Sequence, residues 1–383
     1  MTVNVTKPAL NIREKLAELD KPSGIAGEAM LRADSVQEQR NLIGAGRKNL
    51  IINGAMQVDQ RNSGATVTGP NGFSLDRMFS FWTSASGGTV TVAQSALGNA
   101  KSIKIIATSA VTDLTGGNLV YPIYYEAESQ DVYHLNGSNV TVSFTVETNW
   151  AGKLAIAFHN SANNRSYVVD ADVISGTNNV AVVVPLESNT TLTNNNLIGF
   201  TFNIASCNEG TYRTSTTGSW ISGFMVCSTA TTQWAKTSGN FVNITGLQIE
   251  LGSVATDFEH RSYGEELALC QRYYYKIDSA QNNSNYQRFA VVSCETATNA
   301  EALFAHPVTM RAVPSLETTL YSGFHIFSAN AVRVLNGGMS IDQASPYSAG
   351  IALTVASGLT SGFVGLLDAD NNKTAQIAFN AEL

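Results

Sequence analysis

The chain has 383 residues and a formal net charge of −7, and only 14% of its residues are charged. That balance argues against a nucleic-acid partner, because phosphate binding rests on clustered Lys and Arg. It also argues against membrane insertion, since no apolar run is long enough to span a bilayer and an acidic chain is repelled by anionic lipid. The long Ser/Thr/Asn/Gly-rich tracts resemble those of extracellular or virion β proteins more than those of a charge-rich cytosolic enzyme, and the length predicts two or three domains at ~100 to 200 residues each.

The first predicted elements are helical. Leu10 to Leu19 places Ile12, Leu16 and Leu19 on one face, with Arg13, Glu14, Lys15 and Glu18 on the rest, and Pro22 and Gly24 stop it. A second short helix, Gly27 to Ala33, carries Met30 and Leu31, and a third starts at the cap Asp34, with Gln37 in the capping-box position. Helices shorter than ~12 to 15 residues are marginal alone, so they need a partner surface. Residues 1–47 are therefore expected either to anchor the chain on a larger particle or to cap the domain that follows. The segment shows no basic region followed by an apolar core, so no signal peptide is expected.

From Lys48 to about Leu251 the pattern is strands. Val140, Val142, Phe144 and Val146 alternate with Thr141, Ser143, Thr145 and Glu147. Leu154, Ile156 and Phe158 repeat that alternation, and so do Ile198, Phe200, Phe202 and Ile204, giving each strand one buried face. Asn53-Gly54, Gly87-Gly88, Asn136-Gly137 and Asn178-Asn179 read as turns between them, in the spacing of an antiparallel sandwich. Val180 to Leu186 is continuously apolar and is expected to be a central strand. Leu247, Ile249 and Leu251 alternate with Gln248 and Glu250 and should close the sandwich against Leu50 to Ile52. Glu265 to Tyr274 favours helix. Strands resume at Arg288 to Cys294 and Ala302 to Val308, then around Leu320 to Phe327 and Ile351 to Val355. The last one alternates Ile377, Phe379, Ala381 and Leu383 up to the final residue.

Two stretches carry a resemblance. LQIELGSVATDFEHRSYGEELALCQRYY, Leu247 to Tyr274, resembles the closing strand and exit segment of a jelly-roll module of bacteriophage tail fibres and other virion fibre proteins. NLIINGAMQVDQR, Asn49 to Arg61, followed by Asp76-Arg77, resembles its opening, although Met78 stands where family members more often have tryptophan. Together with the strand pattern this implies an all-β chain. It would comprise an antiparallel jelly-roll sandwich over 48–262, a second β domain over 263–383 with a linking helix, and a short helical N-terminal anchor over 1–47. The resemblance also implies a homotrimer attached to other virion proteins of tail or head, made in the host bacterial cytoplasm. Ile377, Phe379 and Leu383 are the expected trimer contacts, because a chain that stops on apolar strand residues needs cover.

Chemistry-bearing motifs are sparse. The five histidines form no His-x-His or HExxH, the four cysteines no Cys-x-x-Cys, and no Gly-x-Ser-x-Gly elbow or phosphate-cradling loop occurs. No metal, cofactor or enzymatic activity is expected, and the cysteines read as buried thiols. Glu126 and Glu128 beside Asp131 could serve a glycosidase, or could line a solvated strand edge. Around them lie Tyr121, Tyr124, Tyr125 and Tyr133, whose rings could stack on sugar C–H faces while the acids bond hydroxyls, or could pack in the sandwich. The expected role is a tail fibre or spike subunit contacting host surface polysaccharide. A head fibre or capsid decoration protein, a free lectin-like module and a glycan-degrading spike are the alternatives.

Overall fold

The computed structural model describes residues 48–187, 192–280 and 284–383. The helices expected over 1–47, with Ile12, Leu16, Leu19, Met30 and Leu31, lie outside the described residues.

The chain is an all-β protein whose first part is a jelly-roll sandwich. One antiparallel sheet runs, in spatial order, Val67–Thr68, Thr89–Leu97, Ala100–Ser109, Phe241–Leu251, Asn139–Thr148 and Gly176–Pro185. The other runs Trp220–Ser222, Arg165–Val173, Gly152–Asn160, Ile198–Ile204, Val120–Glu128, Met78–Trp82 and Asn71–Leu75. Val140, Val142, Phe144 and Val146 from the first sheet meet Leu154, Ile156, Phe158, Phe202 and Ile204 from the second, all fully or almost fully buried. Each such side chain contributes roughly 1.5 to 3 kcal/mol of burial.

Two local expectations are corrected. Gly176–Pro185 is the edge strand of its sheet, paired only with Asn139–Thr148, and Val183 on it is exposed. Pro185, which lacks an N–H for a second neighbour, is the residue that marks an edge. Asn178-Asn179 is no turn but lies within that strand. Asn178 instead ties the hairpin from inside, its Oδ1 accepting from Ile174 N at 2.9 Å and its Nδ2 donating to Ile174 O at 2.8 Å.

Phe241–Leu251 meets the opening segment as expected, although Asn49 to Gly54 is irregular rather than a strand. Leu50 N donates to Ile249 O and Leu247 N to Gly54 O, both at 2.9 Å. Buried Asn49 stitches the two together: its Oδ1 accepts from Ile51 N and Ile249 N, and its Nδ2 donates to Leu247 O. Gln248 and Glu250 are as buried as Ile249, because the exit segment folds over them. Glu250 accepts from Thr256 N at 2.8 Å, and Gln248 Oε1 from Glu259 N at 2.9 Å. Arg261 then reaches back to the carbonyls of Asn49 and Ile51.

The helix Tyr263–Gln271 follows, opened by a reciprocal capping box in which the Ser262 and Glu265 side chains each bond the other's backbone N–H. It leads into a three-stranded sheet, Tyr274–Asp278, Gln376–Asn380 and Ser315–Thr318. A seven-stranded sheet completes the chain: Ala331–Val334, Phe324–Ser328, Val364–Ala369, Arg288–Cys294, Asn299–Ala305, Ser348–Thr354 and Ser340–Ala344. Phe304, Phe324, Ile326, Ile351, Leu367, Ile377 and Phe379 form the core between them. All four cysteines are buried and free.

A buried charge cluster joins the two β units. Arg77, almost wholly inaccessible, pairs with Glu382, donates to the Glu126 carbonyl, and lies with Cζ 3.7 Å from the Tyr273 ring centroid. Arg61 pairs with the other oxygen of Glu382 at 3.1 Å and sits 3.6 Å over Tyr274. Arg272 grips Glu128 through two nitrogens at 2.7 and 3.2 Å, and Tyr273 Oη donates to the same carboxylate at 2.6 Å. Arg311 donates to the carbonyls of Ala381, Glu382 and Asn196. Planar guanidinium groups suit such sites because one fork satisfies several acceptors at once.

Candidate functional site

The outer face of the seven-stranded sheet in the first unit carries an aromatic cleft. It is built where Met78–Trp82 pairs with Val120–Glu128, with Phe79 opposite Tyr124 and Phe81 opposite Tyr121. The register shifts between these two pairs, two residues on one strand matching three on the other. The extra residue puts Tyr121 and Tyr124 on the same face, which strict alternation would forbid. The rings then run in an unbroken series: Phe73 to Phe79 at 5.5 Å, Phe79 to Tyr124 at 6.1 Å, Tyr124 to Tyr121 at 5.8 Å, and Tyr121 to Phe224 at 6.4 Å. Tyr212 stands edge-on to Phe224 at 5.8 Å and makes the far wall. With Thr83, Gly117 and Leu119 these residues line an open cleft of about 470 Å³, within the size range of small-molecule sites.

Phe224 sits on a loop that is held from below. Gly223 N donates to Asn164 O at 2.7 Å, and Ser166 Oγ accepts from Met225 N at 2.8 Å while donating to Gly223 O at 2.7 Å. With its own proton committed, Ser166 Oγ can only accept from His159 Nδ1, 3.0 Å away. His159 Nε2 in turn accepts from Asn203 Nδ2 at 2.8 Å, and Asn203 Oδ1 accepts from Ser206 Oγ at 2.8 Å. The network assigns the imidazole a single neutral tautomer. The ring lies fully buried under Phe224 with centroids 4.2 Å apart. Burial lowers its pKa from 6.5 to about 3.

The polar end of Tyr124 meets Thr201, Asn163 and the Glu126 carboxyl. Burial pushes Glu126 up to about 7, against the pull of Arg77. Burial likewise raises the Tyr121 and Tyr124 hydroxyls above their usual range, so both remain protonated donors at neutral pH. The cleft therefore offers aromatic faces backed by hydroxyl, amide and carboxyl groups. It contains no nucleophile paired with a base, and no cluster of metal-ligating side chains occurs among the described residues. No helix among them is long and apolar enough to cross a membrane.

The six residues expected from the sequence to gather around a sugar separate into four places. Tyr121 and Tyr124 line the cleft, and Glu126 lies beside Tyr124. Tyr125 points the opposite way, stacked on Phe202 at 5.4 Å with its hydroxyl accepting from Ile52 N, and is closed to any ligand. Glu128 is consumed by Arg272 and Tyr273. Tyr133 is exposed beyond the short helix Ser129–Val132, in ring contact with His134. The same fate meets two of the expected trimer contacts: Ile377 and Phe379 are fully buried in this chain's own core. Leu383 is half-buried against Ile52, Val58, Cys270 and Tyr273. Sequence reading missed Phe79, Phe81, Tyr212, Phe224 and His159. The Phe-Ser-Phe alternation at Phe79 to Phe81 was a usable signal, whereas nothing local marks Tyr212 or Phe224.

A larger groove of about 640 Å³ lies beside Phe258, His260 and Tyr263. Phe258 there packs over Gly246 and edge-on to His260 at 5.0 Å, so its ring serves to seat the exit segment.

The His159 network predicts a pH effect. Because the folded pKa lies below the unfolded one, the stability from the neutral ring is complete above pH 6.5 and lost as pH falls toward 3, at up to about 1.4 kcal/mol per pH unit. Asp76 and Glu126 are raised by burial, to about 6 and about 7, and act in the opposite sense. They do so equally in a His159→Asn variant. The melting-temperature gap between wild type and H159N should therefore narrow from pH 7 to pH 4.5, and parallel curves would refute the assignment.

No protein-family model and no curated protein matches the chain. Among solved structures it is similar to the CBM22-1 and GH10 modules of Clostridium thermocellum endo-1,4-beta-D-xylanase 10B complexed with xylohexaose. That match has 12% identity and TM-score 0.26, covers 48% of this chain, and spans only 28% of the length of the other. It is also similar to TmCBM61 in complex with beta-1,4-galactotriose, at 11% identity and TM-score 0.23, covering 54% of this chain and 100% of the other. A third is the family 11 carbohydrate-binding module of the cellulosomal cellulase Lic26A-Cel5E of Clostridium thermocellum, at 11% identity and TM-score 0.27, covering 51% and 99%.

Proposed function

We propose that the chain is a lectin-like binding protein that holds a glycan in the aromatic cleft without cleaving it. The observation that carries this reading is the run of Phe79, Tyr124, Tyr121, Phe224 and Tyr212 around one open cleft, with Thr83 on its rim and Glu126 beside Tyr124. Pyranose rings present C–H faces that pack on aromatic rings and hydroxyls that need donors and acceptors at the edges. The test is calorimetric titration with neutral oligosaccharides, starting with xylohexaose and beta-1,4-galactotriose. Tyr121→Ala and Phe224→Ala should each weaken binding at least tenfold, about 1.4 kcal/mol, while Tyr133→Ala leaves it unchanged. Equal affinity in all three variants, or release of new reducing ends, would sink the proposal.

In its finer form the proposal makes this a subunit of a virion fibre, its cleft turned to a host surface polysaccharide. What supports it is that the residues carrying the fibre resemblance are those that close the first β unit and, through Arg77 and Arg272, tie it to the second. Asn49, Arg77, Gln248, Glu250, Arg261 and Arg272 all bridge segments more than forty residues apart or seat the exit segment. Immunogold labelling of particles would locate the protein, and its absence from them leaves the free lectin-like form.

A further inference from the structure

The seven-stranded sheet of the second unit has one face on the core and one on solvent, and the solvent face carries an apolar row beside the group of Arg288, Asp368 and His325. The pairing registers align Val332 with Phe327, Phe327 with Leu366, Leu366 with Val291, and Val292 with Ala302, which sets Val291 beside Leu303. Five apolar side chains thus form one row across five adjacent strands, spanning roughly 19 Å at the usual strand spacing. Val334 and Val364 flank it on the same face. None of these residues belongs to the inner core, and apart from half-buried Leu366 they are 38% to 71% exposed. Such exposure in a chain that otherwise covers itself with hydroxyls and amides calls for an occupant, since together the side chains leave roughly 500 Å² of apolar surface, near the upper end of what monomers tolerate.

We infer that this face is the contact between two copies of the chain. The row carries no charged side chain, and the charged groups next to it on this face, Arg288, Asp368 and His325, lie against one another, so the centre of the face attracts apolar surface rather than a charged partner, and a second copy always presents that surface. Its sizes are also self-complementary. A two-fold axis parallel to the strands and passing over Leu366 sets Phe327 of one copy on the smaller Val291 of the other, and Val332 on the larger Leu303. Each contact then occurs twice, as an isologous interface requires. The exposed apolar surface supplies the dry centre of a footprint of about 800 Å² per partner, the usual size of a stable dimer contact.

Sedimentation velocity on the full chain without sugar tests the inference separately from the glycan proposal. Wild type should show a concentration-dependent rise above monomer mass between about 1 and 100 µM. Leu303→Glu should be monomeric over that range, and so should the milder pair Val291→Thr with Leu303→Asn, which keeps β-compatible side chains should the glutamate impair folding. Tyr347→Ser, a change at another exposed residue of this unit, should associate as wild type does. A wild type that stays monomeric at 100 µM, or folded row variants that associate undiminished, overturns it.

Discussion

Replacing Arg77 with methionine is expected to lower stability by about 3 to 5 kcal/mol, the usual cost of removing one partner of a buried ion pair. Its side chain is 1% exposed and that of Glu382 is 5% exposed, so neither charge is rescued by water once its counterpart is gone. Arg61 would remain on Glu382, but it reaches only one carboxylate oxygen, and the Glu126 carbonyl would lose its donor. The two rings that the guanidinium lies over, Tyr273 at 3.7 Å and Tyr125 at 5.1 Å, would lose a cation. Because Arg77 belongs to the first β unit and Glu382 to the second, the variant should also uncouple them. Calorimetry is expected to resolve two transitions where wild type gives one. Adding Glu382→Gln should recover part of the loss, since it removes the stranded charge. A single transition shifted by less than about 1 kcal/mol would show that the cluster does not hold the units together.

Phe379→Ala is the second large effect, at about 3 to 5 kcal/mol for a buried phenylalanine. Phe379 lies on Gln376–Asn380, the middle strand of the three-stranded sheet, directly between Tyr275 and Leu316. Its ring is fully buried and touches Tyr275 at 6.2 Å, Phe304 at 5.5 Å and His306 at 4.9 Å between centroids. The cavity left would open at the seam of the two C-terminal sheets, which cannot collapse onto it without breaking register. The loss should be independent of protein concentration, because every one of these contacts is within the chain. A concentration-dependent loss, measured by denaturant titration at two protein concentrations, would instead restore the idea that Phe379 meets a neighbouring subunit.

The sequence by itself determined the class of fold and the inward phase of most strands. Alternation at Val140 to Val146, Leu154 to Phe158 and Phe200 to Ile204 is a local pattern, and a strand that buries one face shows it without reference to its neighbours. The joining of Leu247–Leu251 to Leu50–Ile52 was legible for the same reason on one side and through the resemblance on the other.

What only the tertiary structure decided was which surface each polar or aromatic residue meets. Tyr121, Tyr124 and Tyr125 look alike in sequence. One extra residue in the pairing with Phe79 and Phe81 turns the first two outward and leaves the third in the core. Glu128 reads as a surface acid until Arg272, distant in sequence, is folded against it. Ile377 and Phe379 are sticky in any local view, and whether their own chain or another covers them depends on Tyr275, Phe304 and Leu316 reaching them first. Periodicity reports which face of a strand is apolar. It does not report what is brought to that face, because the covering groups come from segments whose position is set by the whole topology.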